Sequence, residues 1–287
     1  MVKKTLAALA ATFIVVCCVF CFHACSEINT TSWERLSDKD IGPQGRAALI
    51  INKKNWKHAE TEHFVCHFTD DKEAEICYVN SEVYYNWIKD FFGVLQDKWR
   101  KKNHVFIFTE KPMWDDFLAR LNYKRKVDGF TNGWELFMYR QPDFVGPRES
   151  LAHEMTHIIV FRFTAGPLPL FLNEGFAEFV SSQAIKLQLE EGGWKQGLSK
   201  HLNPEEYIPL NEIAAMNSYP EGRVAAFYGE SGWFTKFLVS KYGKEKFYDL
   251  LKSVSHGEDF KRSLEKVCGS DLETVENDFK SYCMAKN

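Results

Sequence analysis

Charge of one sign accumulates nowhere in this sequence. Its 36 Lys and Arg are offset by 39 Asp and Glu, for a net charge of -3, and both signs are mixed along the chain. No basic stripe is offered to nucleic acid, and no acidic block marks a disordered tail. A repeat of fixed period is also missing, which sets aside solenoids and propellers. Cysteine thins out after the first 25 residues: four of the eight stand at 17, 18, 21 and 25, leaving Cys66, Cys77, Cys268 and Cys283 for the body. In an oxidising compartment these four permit disulfides, and short separations favour Cys66 with Cys77 and Cys268 with Cys283; buried free thiols are the alternative. What is present is ordinary globular material. A chain of 287 residues that is 45% hydrophobic can supply the core of one large or two small domains.

The first 24 residues read as a secretory signal. Lys3 and Lys4 precede an apolar run from Leu6 to Phe22, and a small residue, Ala24, stands directly before Cys25. "FHAC" followed by Ser26 resembles a bacterial lipoprotein processing site, in which cleavage before the cysteine frees it for lipid attachment; Phe22 and His23 depart from the usual residues there. Three outcomes stay open: lipidation at Cys25, plain secretion, and an uncleaved anchor helix, for which the apolar run is marginally long enough. Each puts the body outside the cytoplasm, in the envelope of a bacterium or beyond it.

Residues 25–60 are polar and broken by "IGPQG", and read as a spacer. In "EHFVCHFTD" Phe64, Cys66 and Phe68 alternate with Val65 and His67, predicting a strand; "NHVFIFTE" predicts a second, more continuously apolar one. The stretch between them has helical spacing and stops at Gly93, giving a β-α-β opening. "GFTNGWELFMYR" predicts one or two further strands with a tight turn at Asn132-Gly133. From Arg148 on the pattern is helical: "RESLAHEMTHIIVFRF", then "PLFLNEGFAEFVSSQAIKLQ" after the loop "TAGPLP", then five more segments to the C-terminus. The expected fold is α+β, a small mixed sheet over 61–147 followed by a mainly helical part over 148–287, together one unit.

Chemistry enters with "HEMTH". His153 and His157 are four apart, so on a helix both imidazoles point from one face toward a common metal ion. Glu154 is the next residue round and can lean over the open coordination position, taking a proton from a metal-bound water and later passing it to the leaving group. Zinc suits two histidines and a carboxylate, and it lowers the pKa of water from near 16 to roughly 7. His-Glu-x-x-His fixes only three positions, so the motif needs a third ligand on a neighbouring element. "NEGFAEF" offers Glu174, 17 residues after His157 and across a loop short enough to make the two helices neighbours.

Together, "HEMTH" and "NEGFAEF" resemble the gluzincin metallopeptidases, the thermolysin-like and aminopeptidase-like group, and in particular the small peptidase MA-like domains of bacterial envelope proteins. The resemblance covers the two site helices closely and the rest of the chain, from about Glu60, in element order. It implies a zincin-like fold with the His-Glu-x-x-His helix between sheet and helical parts, and zinc bound by His153, His157 and Glu174 with Glu154 as general base. It also implies that Glu178, a turn beyond Glu174, orients a ligand histidine from outside or substitutes as ligand, and that Asn173 holds the loop between the helices. Tyr228 lies where such domains often carry a tyrosine and could donate to the developing oxyanion, with Arg223 and Tyr219 as weaker candidates. The group's exopeptidases carry Gly-x-Met-Glu-Asn on a strand that binds the substrate amine. Here "NGWELFMYR" has Glu135 but not that order, so the segment is expected instead as an edge strand that pairs with an extended peptide. His63 and His67 in "HFVCHF" are expected on one strand face, but no carboxylate partner for a second metal is evident nearby.

The reading that these features favour is a zinc-dependent endopeptidase of the cell envelope, acting on peptide or protein and tethered to the membrane. The alternatives are a non-catalytic envelope binding or scaffold protein that keeps zinc for structure, and a metal hydrolase acting on something other than peptide.

Overall fold

The computed structural model describes residues 28–94, 100–124, 127–140, 148–164, 166–192 and 204–284. The expected signal (1–24) and Cys25 therefore lie outside the described residues, as do most of "RQPDFVGPRES" and the stretch directly after Gly192. Among the described residues no helix is long and apolar enough to cross a membrane.

Six strands form one mixed sheet: β1 (Thr30–Thr31), β2 (Lys57–Glu60), β3 (Phe64–Phe68), β4 (Asn103–Phe108), β5 (Gly129–Asn132) and β6 (Glu135–Tyr139), in the order β1-β2-β3-β4-β6-β5. The two most apolar strands, β3 and β4, sit in the middle and are buried at every position. They run parallel, and a parallel pair needs a crossover. The helix α2 (Asp71–Phe92) supplies it and ends at Gly93 as its spacing predicts. β4 and β6 are also parallel, whereas β5 and β6 form an antiparallel hairpin that turns at Asn132-Gly133, so the "NGWELFMYR" strand expected at the edge is paired on both sides and β5 takes the edge instead.

Each sheet face has its own apolar layer. On one side Phe64, Cys66, Phe68, Val105, Ile107, Leu136 and Met138 pack with α2 and the helical part. On the other, Phe106, Phe108 and Phe137 meet Ile41, Ala48, Ile51 and Trp56, together with Trp114 and Phe117 of α3 (Lys111–Arg120).

The stretch expected as a spacer is thus a working part of the fold from Ile28 on. It carries β1, β2 and α1 (Pro43–Ile50), and Ile41, Ala48, Ile51 and Trp56, spaced among polar residues, are buried. Glu135 secures it: the carboxylate, fully buried, accepts from the Gly42 backbone N–H at 2.7 Å, at the N-terminal end of α1.

The helical part follows the predicted segments: α4 (Arg148–Phe163), α5 (Leu170–Gly192), α6 (Leu210–Ala215), α7 (Val224–Tyr242), α8 (Lys244–Ser255), α9 (Phe260–Cys268) and α10 (Leu272–Met284). α4 lies against β5 and β6 on one side and α5 on the other, so it joins sheet and helices as expected. The four body cysteines are free thiols, so neither expected bridge is formed. Cys66 and Cys77 are nonetheless neighbours, with their Sγ atoms 3.1 Å apart.

Candidate metal centre

Two close approaches build the site. Gly129 opens β5, and a methyl group there would stand 3.1 Å from the Glu154 carboxyl carbon, tight enough to press that side chain aside by a few tenths of an ångström. Gly175, directly after Glu174, makes a closer approach between helices. A methyl there would lie 2.7 Å from the Ser231 carbonyl carbon and 2.8 Å from Thr235 Oγ1. The backbone of α7 is thereby pressed onto α5 one turn from Tyr228. Neither glycine is marked out by sequence alone, because the requirement comes from an element distant along the chain.

The ligand-type side chains converge as their spacing predicts. His153 and His157 on α4 stand edge to face, with ring centroids 4.9 Å apart. Glu174 Oε2, from α5, faces His153 Nε2 at 3.1 Å and His157 Nε2 at 3.6 Å. These three residues are the metal-binding group found among the described residues, their donor atoms all within 4.8 Å of one another. A tetrahedral ion with bonds of about 2.0–2.1 Å needs donor atoms about 3.3 Å apart. The observed separations bracket that value, and two imidazoles with a carboxylate match zinc in donor type. The group fits a zinc ion.

Around it, Glu178 Oε1 faces His153 Nδ1 at 3.1 Å, on the far side of the ring from Glu174. The Nδ1 of His157 is buried without a hydrogen-bond partner among the described residues. The Asn173 amide, expected to hold the loop between the helices, makes no hydrogen bond among the described residues; its backbone N–H makes the first-turn bond of α5, to Pro169 O at 3.0 Å, that any residue there would make.

Tyr219 and Tyr228 lie face to face, with centroids 5.4 Å apart and planes within 18°, and the Tyr228 ring is 6.0 Å from that of His153. The Tyr219 hydroxyl donates to Glu174 Oε1 at 2.8 Å. Arg223 is turned away, donating to the carbonyl oxygens of Glu206 and Tyr207 at 2.6 and 3.1 Å, so it does not serve this site.

The electrostatics follow from crowding acids and imidazoles in a half-enclosed space. Burial raises the Glu154 carboxyl above the ordinary range, against the pull of His157 and His153. Burial also acts on Glu174, but its bond to His153 and the nearby imidazoles hold it below the ordinary value. His153 loses by burial and gains more from Glu174, Glu178 and Glu154, ending near 10. Tyr228 is pushed up to about 12, first by burial and then by the Glu174 charge, so it stays a donor at neutral pH.

The other singled-out residues lie elsewhere. Glu135 is committed to α1 and takes no place at the centre. His63 pairs with Glu82 Oε2 at 2.8 Å and stacks on Tyr85, so it does have a carboxylate partner, but His67 is not beside it. His67 faces the opposite layer, stacked on Phe106, where its Nδ1 meets His58 Nδ1 at 2.8 Å and its Nε2 meets His104 Nδ1 at 2.9 Å.

No curated protein matches this chain. Among solved structures it is similar to a variant of the M1 zinc metallopeptidase of Deinococcus radiodurans with bound Tyr-Ser-Ala substrate, at 12% identity and a TM-score of 0.38. That match covers 78% of this chain and 48% of that one, so the chain spans about half of its length. The sequence model of the Peptidase MA superfamily matches residues 141–285, half of the chain, which therefore belongs to that superfamily.

Proposed function

We propose that this Peptidase MA protein is a zinc-dependent endopeptidase of gluzincin type that hydrolyses peptide bonds in the cell envelope. The observation that carries the reading is the convergence of His153, His157 and Glu174 next to a half-buried Glu154 with a raised carboxyl, at an edge strand. His153, His157 and Glu174 would hold the ion, and a bound zinc ion supplies Lewis acidity and a water acidic enough to ionise near pH 7. Three gathered ligands among the described residues leave a tetrahedral site one place short, which favours a catalytic over a structural role.

The chain's own residues then do the following. β5 is the outer strand of the sheet, and its free main-chain groups pair with an extended peptide, holding the scissile bond near Glu154. Glu154 accepts the proton of the attacking water on its carboxylate and delivers it to the leaving amine; a raised carboxyl is better matched to both transfers near neutrality. Tyr228 donates its hydroxyl proton as a hydrogen bond to the oxyanion that develops on the former carbonyl. Glu178 holds the His153 ring through Nδ1. With Glu135 withdrawn into the α1 contact, no acid on this strand is left to capture a substrate amine, which favours internal cleavage of a peptide or protein. The leader and Cys25 support export with a lipid or helical tether to the membrane, and the balanced charge gives no reason to expect nucleic acid.

The test replaces Glu154 by Gln in the purified mature protein. Zinc content, measured by mass spectrometry, should stay at one ion per chain, while cleavage of a peptide library falls by about 10²–10⁴-fold. Full activity in this variant would dispose of the mechanism, and absence of zinc from the wild type would dispose of the metal.

A further inference from the structure

Glu174 uses its two oxygens differently. Oε2 faces the Nε2 atoms of His153 and His157 at 3.1 and 3.6 Å, while Oε1 accepts the hydroxyl of Tyr219 at 2.8 Å. Tyr219 stands in the turn between α6 and α7, half-buried, with its ring edge to face with Phe227 and flat against Tyr228. An ionised carboxylate only accepts, so Tyr219 is the donor in this contact and its one hydroxyl proton is spent on Glu174 Oε1.

We propose that Tyr219 is a positioning residue that holds Glu174 to ligation through one oxygen, keeping a coordination place open. This inference rests on the zinc reading above. A carboxylate with both oxygens unengaged can bind a cation through one or both. Binding through both would consume the position that water and substrate need in a three-ligand centre. A phenol donor on Oε1 removes that option and leaves Oε2 aimed at the two imidazoles.

The experiment compares metal-free wild type, Tyr219→Phe and Tyr228→Phe. The phenylalanine at 219 keeps the ring contacts with Phe227 and Tyr228 and removes only the hydroxyl. Competition with a chromophoric chelator should show zinc bound about 10- to 100-fold more weakly by Tyr219→Phe, the usual cost of losing a partner outside the ligand shell. Its cobalt(II) form should lose visible-band intensity as coordination rises from four to five, whereas Tyr228→Phe should match wild type in both affinity and spectrum. X-ray absorption on the zinc-loaded wild type, which needs no variant to fold, should report four-coordination. Unchanged affinity and spectrum in Tyr219→Phe would overturn the inference and leave the zinc reading standing, as would ligation through both oxygens in the wild type. A wild type that takes up no metal would overturn both.

Discussion

Gly175→Ala is the sharpest structural probe, because its cost is set by one interhelical approach. The added methyl would stand 2.7 Å from the Ser231 carbonyl carbon and 2.8 Å from Thr235 Oγ1. Carbon contacts are comfortable at about 3.5–4.0 Å, so α5 and α7 must part by about 1 Å. Overpacking of this kind costs about 1–3 kcal/mol, and alanine returns up to about 1 kcal/mol through its better helix propensity. The net loss should be about 1–2 kcal/mol, read as a fall in Tm of about 2–8 °C for a domain of this size. Activity should suffer more, since a displacement of about 1 Å between Tyr228 on α7 and the ligands on α4 and α5 can cost about 10²-fold. Thermal unfolding and peptide cleavage on the same preparation measure both. If Gly175→Ala kept the wild-type Tm and kcat/KM, the close contact between α5 and α7 would not be what sets the geometry of the site.

Two further outcomes concern the sheet. Burial keeps the histidines of the His58–His67–His104 chain neutral: His104 is lowered to about 4 by burial, against the pull of Asp38, and His67 and His58 are lowered as well. The groups around the chain are Glu34, Asp38, Asp40 and Glu60. Since the unfolded chain takes up protons from about pH 6.5 and the folded one does not, stability should fall as pH drops from there, levelling for His104 near 4. The His104 share is on the order of 3 kcal/mol; urea unfolding at pH 7 and 4.5 reads it, and a His104→Gln variant losing as much as wild type would refute the assignment. Glu135→Ala should cost about 1–3 kcal/mol by stranding the Gly42 N–H and freeing the start of α1. Faster proteolytic cutting within 28–56 would register it, and wild-type protease resistance would count against the anchoring role.

Much of this molecule was legible before its structure. The continuous apolar run of β4, the spacing of α2 and the pair His153/His157 each announce themselves within a few residues, since their signals are local periodicities. What stayed hidden depends on partners far along the chain. Ile41, Ala48, Ile51 and Trp56 are too sparse among polar neighbours to form a period, so 28–60 reads as spacer until Phe106 and Phe108 are seen to need cover. His58, His67 and His104 lie on three strands and meet only through register, which no single strand encodes. The four-residue spacing brings Glu178 to His153 as the helix dictates. The contact of Tyr219 with Glu174 crosses 45 residues and leaves no local mark; the sequence offers Tyr219 only as a weaker candidate for the oxyanion.

The strand order carries a consequence for how the protein meets the world around it. β1 and β5 occupy opposite margins, with four strands between them. At about 4.8 Å per strand, the point where residues before Ile28 join the fold and the strand beside Glu154 are about 24 Å apart. The described chain therefore begins at the margin of the sheet opposite β5. A tag, a tether or a surface held at that end would leave the approach to β5 clear, and a bulky folded substrate could arrive from the opposite direction without meeting it.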